Sequence, residues 1–250
     1  MSIIAIIGGT GLTEFPELNI KKIHKQVDTT LGKPSDDIVE GELHGQRLLF
    51  LPRHGKNHAV APHKINYRAN LLALQSLGAD SMIAVNAVGG IHCDAIAGHI
   101  SVPHQIIDYT HGREHTYFDG EFRPLDHAEF SHPYDETLRQ KLIKVLSVHT
   151  LNHGFSRGGV YGATQGPRLE TIAEIKRLEN DGCDLVGMTG MPEAVLAREL
   201  NIPYASLCLV VNPAAGKTDA LITIGEIRCV LSRGMLDIKS ILGEFCKASG

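Results

Sequence analysis

Three apolar runs in this chain end abruptly in residues suited to holding an anion. Ile3 to Ile7 passes straight into Gly8-Gly9-Thr10-Gly11. Glycines after a strand let backbone amides approach an anion closely, and the Thr10 hydroxyl can add a hydrogen bond. Arg47 to Leu51 runs into Pro52-Arg53-His54-Gly55, and an arginine suits a bidentate hold on phosphate oxygens. Ser81 to Val85 closes with Asn86-Ala87-Val88-Gly89-Gly90, again presenting amides at a strand end. Singly each signal is weak, because glycine is the default turn residue and Arg53-His54 reads equally as a surface basic pair. Together they point to one shared anion site, because open α/β sheets bind ligands at the carboxyl ends of their strands.

Further along, polar residues again follow apolar runs or precede helices. In Gly166-Pro167-Arg168-Leu169-Glu170-Thr171, Glu170 or Thr171 can open the next helix. In Met188-Thr189-Gly190-Met191-Pro192-Glu193, Pro192 fits a first helical turn and Glu193 reads as a plain first-turn acid. Asn212 ends another apolar run. Two nucleotide motifs fail: Pro16 interrupts the dinucleotide fingerprint, and Gly216-Lys217-Thr218 lacks the first P-loop glycine, its place being taken by Val211. Fourteen histidines show no metal-ligand spacing, so no metal is expected.

The elements that must position these residues alternate from end to end. Strands are predicted at Ile3 to Ile7, Arg47 to Leu51, Ser81 to Val85, within His99 to Tyr109, at Gly158 to Ala163, Leu185 to Met188 and Tyr204 to Val211. Gly41 to Gly45 reads as a polar hairpin-like stretch. Helices are predicted over Asn66 to Leu77, Asp135 to His149, Thr171 to Asn180 and Pro192 to Leu200, with a long helix or helix pair over Ile224 to Ala248. The pattern predicts one α/β domain over residues 1–250, a mixed central sheet flanked by helices. The weakly periodic stretch from about His111 to His132 reads as a functional loop, a lid or an interface.

Composition narrows the function classes. Of 250 residues, 43% are hydrophobic and 21% charged, ordinary values for a globular chain. A formal net charge of −4 and no basic block give no footprint for nucleic acid or a membrane surface. Five scattered cysteines form no C-x-x-C pair and are expected as free thiols in a reducing compartment. With no basic leader and no apolar stretch near the roughly 20 residues of a membrane helix, a cytoplasmic protein is expected.

Read together, six blocks resemble the purine nucleoside phosphorylases, in the trimeric branch that includes the methylthioadenosine phosphorylases. They are the Gly8 loop, Leu51 to Gly55, His63 to Asn70, Ala87 to Gly90, Gly166 to Glu174 and Met188 to Glu193. The resemblance implies that Thr10, Arg53, His54, Ala87 and Thr189 hold phosphate, with Asn86 standing where methylthioadenosine phosphorylases commonly have threonine. It places Met188 against the ribose and Leu169 where the family often stacks a phenylalanine on the base. It also implies phosphate as co-substrate, no organic cofactor or metal, and a homotrimer. The loop Phe118 to Phe130, with His127, would then reach a neighbour's site.

Three departures bear on the base. Glu170 replaces a serine usual in methylthioadenosine phosphorylases, Asn212 replaces an aspartate, and Ala214 replaces a second aspartate; inosine- and guanosine-preferring relatives carry the Glu and Asn pair. An ionised Glu170 only accepts hydrogen bonds, so it suits the N1–H of a 6-oxopurine and leaves the N1 lone pair of adenine unpaired. Asn212 can donate to N7 or O6, where charge collects as the base departs. The Leu51 to Asn70 and Met188 to Arg198 blocks, by contrast, are similar to methylthioadenosine phosphorylases. The expectation is phosphorolysis of 5′-methylthioinosine, with a methylthioadenosine phosphorylase or a general inosine and guanosine phosphorylase as the alternatives, Asn212, Glu170 and His54 in the catalytic group and Ile224 in apolar contact with the methylthio group.

Overall fold

The computed structural model describes residues 2–249. In chain order the elements are β1 (Ile3–Gly8), β2 (Asn19–His24), β3 (Ile38–Leu43), β4 (Gln46–Pro52), α1 (Tyr67–Ser76), β5 (Ser81–Gly90), β6 (Ile100–Ser101) and β7 (Gln105–Asp108). They continue with α2 (Glu136–Val148), β8 (Phe155–Ser156), β9 (Val160–Ala163), α3 (Ile172–Asn180), β10 (Leu185–Gly187), α4 (Gly190–Glu199), β11 (Tyr204–Pro213) and α5 (Ile224–Ser249). This is a mixed α/β fold around an 11-stranded sheet.

β1 shows why its sequence is continuously apolar. Side chains alternate across a strand, so Ile3, Ala5 and Ile7 enter a core shared with α1 and α4, while Ile4 and Ile6 enter a second core shared with α2 and α5. All six residues of β1 are therefore buried. It pairs in parallel with β4 on one side and with β5 on the other.

The ten-residue β5 is the branch point. Its first half pairs with β1, its end pairs antiparallel with β10, and its other edge pairs in parallel with β11 along most of its length. Because β1 stops at Gly8 and β10 takes over only at Gly89 and Gly90, a crevice opens at this end of the sheet. Near the same end, the β11 register shifts between Val210 and Asn212. Such a bulge re-aims the side chains that follow it.

Helix ends follow side-chain capping. Asn66 caps α1, Asp135 caps α2, and Thr171 with Glu174 forms a reciprocal capping box at α3. The C-terminal segment is one helix. Strand β3 runs into the stretch read as hairpin-like around Gly41 to Gly45, and β2 forms where no element was expected. The β3–β4 turn places His44 at φ 50° and Gly45 at φ 84°, the two positive angles that a tight hairpin requires. β2 is an edge strand with Ile20 and Ile23 exposed, so no buried face marks it in the sequence.

The long loop is only partly the lid expected of it. Its first half is fixed, with Tyr117 fully buried and Glu199 accepting from both the Thr116 hydroxyl and the Tyr117 amide at 2.7 and 2.6 Å. Arg68 binds Asp119 from below. In the second half His127 is exposed, while Phe122 and Phe130 are half-buried against the core.

Candidate active site

The crevice is a cavity of about 240 Å³ into which Thr10, Arg53, His54, Ala87, Leu169, Glu170, Met188, Thr189, Asn212 and Ala214 all open. These ten expected residues come from six separate stretches of chain. Close approach of the backbone is built in at one wall: a Cβ on Gly9 would lie 2.4 Å from the Val85 carbonyl and 2.9 Å from Nη1 of Arg53. No side chain fits there.

Arg53 is fully buried. Its Nε and Nη2 donate to the two oxygens of Glu193 at 2.7 and 2.8 Å, and Nη1 donates to the Val85 carbonyl at 3.1 Å. A guanidinium carries five N–H groups, so donors remain for an anion. Burial penalises its charge, but the opposite charge and hydrogen bonds of Glu193 outweigh this and hold the arginine above its ordinary pKa. Glu193 also accepts from the Tyr204 hydroxyl at 2.9 Å. It is thus not the plain first-turn acid its position suggested. Its carboxylate is the counter-ion of the cavity's arginine.

His54 donates Nδ1–H to the Val60 carbonyl at 2.9 Å and stacks on His58 with ring centroids 4.2 Å apart. Burial, only partly offset by that hydrogen bond and joined by the nearby charge of Arg53, lowers its pKa to about 4. The ring is neutral at physiological pH. His58 in turn meets the Thr10 hydroxyl at 2.8 Å.

Two expected contacts are redrawn. Asn86 does not line the cavity. It lies behind Thr189, accepting the Thr189 hydroxyl at 2.9 Å and donating to Ser206 at 2.6 Å, so both ends of its amide are taken. Ile224 is 58% exposed at the first residue of α5, whereas Ile222 before the helix and Ile227 one turn into it face the cavity.

At the opposite wall, the capping box occupies Thr171 and Glu174 and frees Glu170 from any role at the helix end. Glu170 accepts the Thr164 hydroxyl at 2.5 Å. Asn212, just past the bulge, sits against Gly89, and its Nδ2 donates to the Pro213 carbonyl at 2.7 Å, leaving a second amide proton. Beyond Glu170 lies a second, polar cavity of about 440 Å³, where Arg168 and Glu174 pair with each other.

Sequence reasoning missed Arg113. It is buried and donates to the carbonyls of Met188, Met191, Thr164 and Gln165 at 2.9, 2.7, 3.2 and 2.8 Å. It therefore stitches the Glu170 wall to the Thr189 wall. A lone arginine in an irregular loop carries no local signal of such a role. Outside the cavity, His92, Cys93 and Asp94 form an exposed group of ligand-type side chains.

A family model described as the phosphorylase superfamily matches residues 3–247. The chain belongs to this superfamily. Among similar superfamily members, a probable S-methyl-5′-thioinosine phosphorylase of Pseudomonas syringae pv. tomato is 52% identical over 249 residues, covering 100% of both chains. The 6-oxopurine nucleoside phosphorylase of Pyrococcus furiosus is 39% identical, covering 96% of this chain and 90% of that protein. The structure of methylthioadenosine phosphorylase from Schistosoma mansoni in complex with adenine superposes with a TM-score of 0.94 at 30% identity, covering 100% of this chain and 92% of that one. These superfamily relatives match over nearly their whole lengths, so the likeness is to entire chains rather than to a shared fragment.

Proposed function

We propose that this protein cleaves the N-glycosidic bond of 6-oxopurine nucleosides with inorganic phosphate, and that 5′-methylthioinosine is its preferred substrate. Products are hypoxanthine and 5-methylthioribose 1-phosphate. The observation that carries the reading is Glu170, fixed by Thr164, sharing one cavity with the re-aimed Asn212 and the Thr10, Arg53, His54 and Thr189 wall. The names of the Pseudomonas and Pyrococcus relatives support the same base and the same chemistry.

Phosphate, held by Thr10, Arg53, His54, Thr189 and the amide of Ala87, attacks C1′ as the ribosyl group becomes oxocarbenium-like. The C1′–N9 bond breaks, a C1′–O bond forms, and the electron pair passes into the purine. Asn212 donates to the developing charge at N7 or O6, a stabilisation aimed at the transition state. Glu170 accepts N1–H and fixes the edge of the base. Met188 lies against the ribose, Leu169 against the base, and Ala214 with Ile222 and Ile227 gives apolar surface to the 5′ group. The work is positioning and electrostatics, without metal or organic cofactor.

Rates of phosphorolysis of methylthioinosine, methylthioadenosine and inosine, with and without phosphate, test this. Fastest turnover of methylthioadenosine sinks it. Asn212→Asp shifts the preference toward adenine nucleosides; under the competing reading, a methylthioadenosine phosphorylase with a permissive base site, it changes base choice little. The chain is further proposed to act as a single domain in a cytoplasmic homotrimer, with small molecules rather than nucleic acid or membrane as partners. Among the described residues no helix is long and apolar enough to cross a membrane. Sedimentation equilibrium reads the assembly directly, and a monomer overturns that part.

A further inference from the structure

The hydrogen-bond donors and acceptors of the phosphate wall are unequally supplied. A carbonyl only accepts, so the 2.9 Å contact to Val60 places the His54 proton on Nδ1 and leaves Nε2 as a bare lone pair. Among the described residues Nε2 has no protein partner, yet it is not one of the buried unpaired side-chain atoms there, which are His63 Nδ1 and Tyr134 Oη. It is therefore accessible from the cavity that His54 lines. The second acceptor is Thr189. Its hydroxyl proton goes to Oδ1 of Asn86, whose Nδ2 donates one proton to Ser206, so Thr189 turns lone pairs to the cavity.

Charge is scarce as well. The titratable groups lining the cavity are Arg53, His54, His58 and Glu170. Arg53 is paired with Glu193 of α4, His58 is engaged with Thr10, and Glu170 contributes no positive charge. A phosphate dianion, with a single hydroxyl, would set its unprotonated oxygens against at least one lone pair. The monoanion has two hydroxyls for the two acceptors.

We propose that this site takes phosphate as its monoanion, with one phosphate hydroxyl donating to Nε2 of His54 and the other to Thr189. His54 is then a specificity-determining residue for the protonation state of the co-substrate. The proposal rests on reading the cavity as a phosphorolysis site. It deepens that reading without being needed for it. The neutrality of the His54 ring, enforced by burial and by the adjacent Arg53, keeps Nε2 an acceptor across the working range.

Calorimetric titration of the intact protein with inorganic phosphate, in two buffers of different ionisation heat, tests it. Above the second ionisation of phosphate, wild type is expected to take up about one proton per phosphate bound, with the apparent Kd rising about tenfold per pH unit. Below that ionisation the affinity levels off. His54→Gln, whose amide can donate to a dianion, is expected to lose the uptake and flatten the slope. His92→Gln, outside the cavity, is expected to keep both. Phosphate binding by wild type without proton uptake overturns the proposal, as does full uptake by His54→Gln or its loss in His92→Gln. Absence of any phosphate binding overturns the phosphorolysis reading itself. The 31P chemical shift of phosphate bound to wild type decides between a monoanion and a dianion beside a protonated His54, and the dianion's shift overturns the proposal even should His54→Gln fail to fold.

Discussion

Glu170 accepts the Thr164 hydroxyl through Oε1 and, among the described residues, has no partner at Oε2. A carboxylate in that position can satisfy a base N–H and can do nothing for a base lone pair. Glu170→Gln restores a donor at the same place and volume. It is expected to narrow the ratio of kcat/KM between 6-oxo- and 6-aminopurine nucleosides by roughly 10- to 100-fold, the cost of about 1–3 kcal/mol for an unpaired buried group. An unchanged ratio in steady-state assays would place base choice elsewhere. At the same scale, Thr10, Arg53, His54, Thr189 and Asn212 each follow an apolar run, and all five line the cavity. Asn86 follows one too, but nothing local distinguishes a side chain that meets a ligand from one that holds the residue that does. Its amide is spent on Thr189 and Ser206, partners 103 and 120 residues away.

Elements decide what those side chains can reach. The β11 bulge turns Asn212 toward Gly89, and the α3 capping box frees Glu170, which could otherwise have served as an N-terminal acid. Arg113 belongs to this scale, because it joins the β9–α3 segment to the β10–α4 turn through four backbone carbonyls. Arg113→Met keeps the bulk and removes the donors. It is expected to lower kcat by on the order of 100-fold, the loss that accompanies an ångström-scale misplacement of reacting groups, with a smaller change in KM. Equal kcat in the variant would show that the walls hold their places without it. The cap residues Asn66, Asp135 and Thr171 were legible because their chemistry is local. The β2 strand was not, because an exposed edge strand has no buried face to imprint a pattern.

Across the whole molecule, one ion pair joins the end of β4 to α4 through the centre of the fold. Arg53 and Glu193 are 140 residues apart and both fully buried. Removing one partner strands the other charge. Glu193→Gln is therefore expected to cost about 3–5 kcal/mol, on the order of 10 °C in Tm, and to weaken phosphate binding as Arg53 loses its orientation. Thermal unfolding with and without phosphate measures both. A Tm within about 2 °C of wild type would show that the arginine is solvated or re-paired in the variant. The crevice itself exists at this scale alone, because β5 leaves β1 at one end and joins β10 at the other.

Continuous apolar runs specified strands buried on both faces, their glycine- and polar-rich ends specified loops at one sheet edge, and the Glu170 and Asn212 pair specified a 6-oxopurine reading. Those are properties of short windows, where periodicity and side-chain chemistry act locally. Tertiary structure alone decided that Glu193 pairs with Arg53, that Asn86 lies behind Thr189, that Ile222 and Ile227 rather than Ile224 line the cavity, and that Nδ1 of His54 meets the Val60 carbonyl. Each depends on which partner a polar or apolar group meets across the sheet, and packing brings together residues that no local pattern connects.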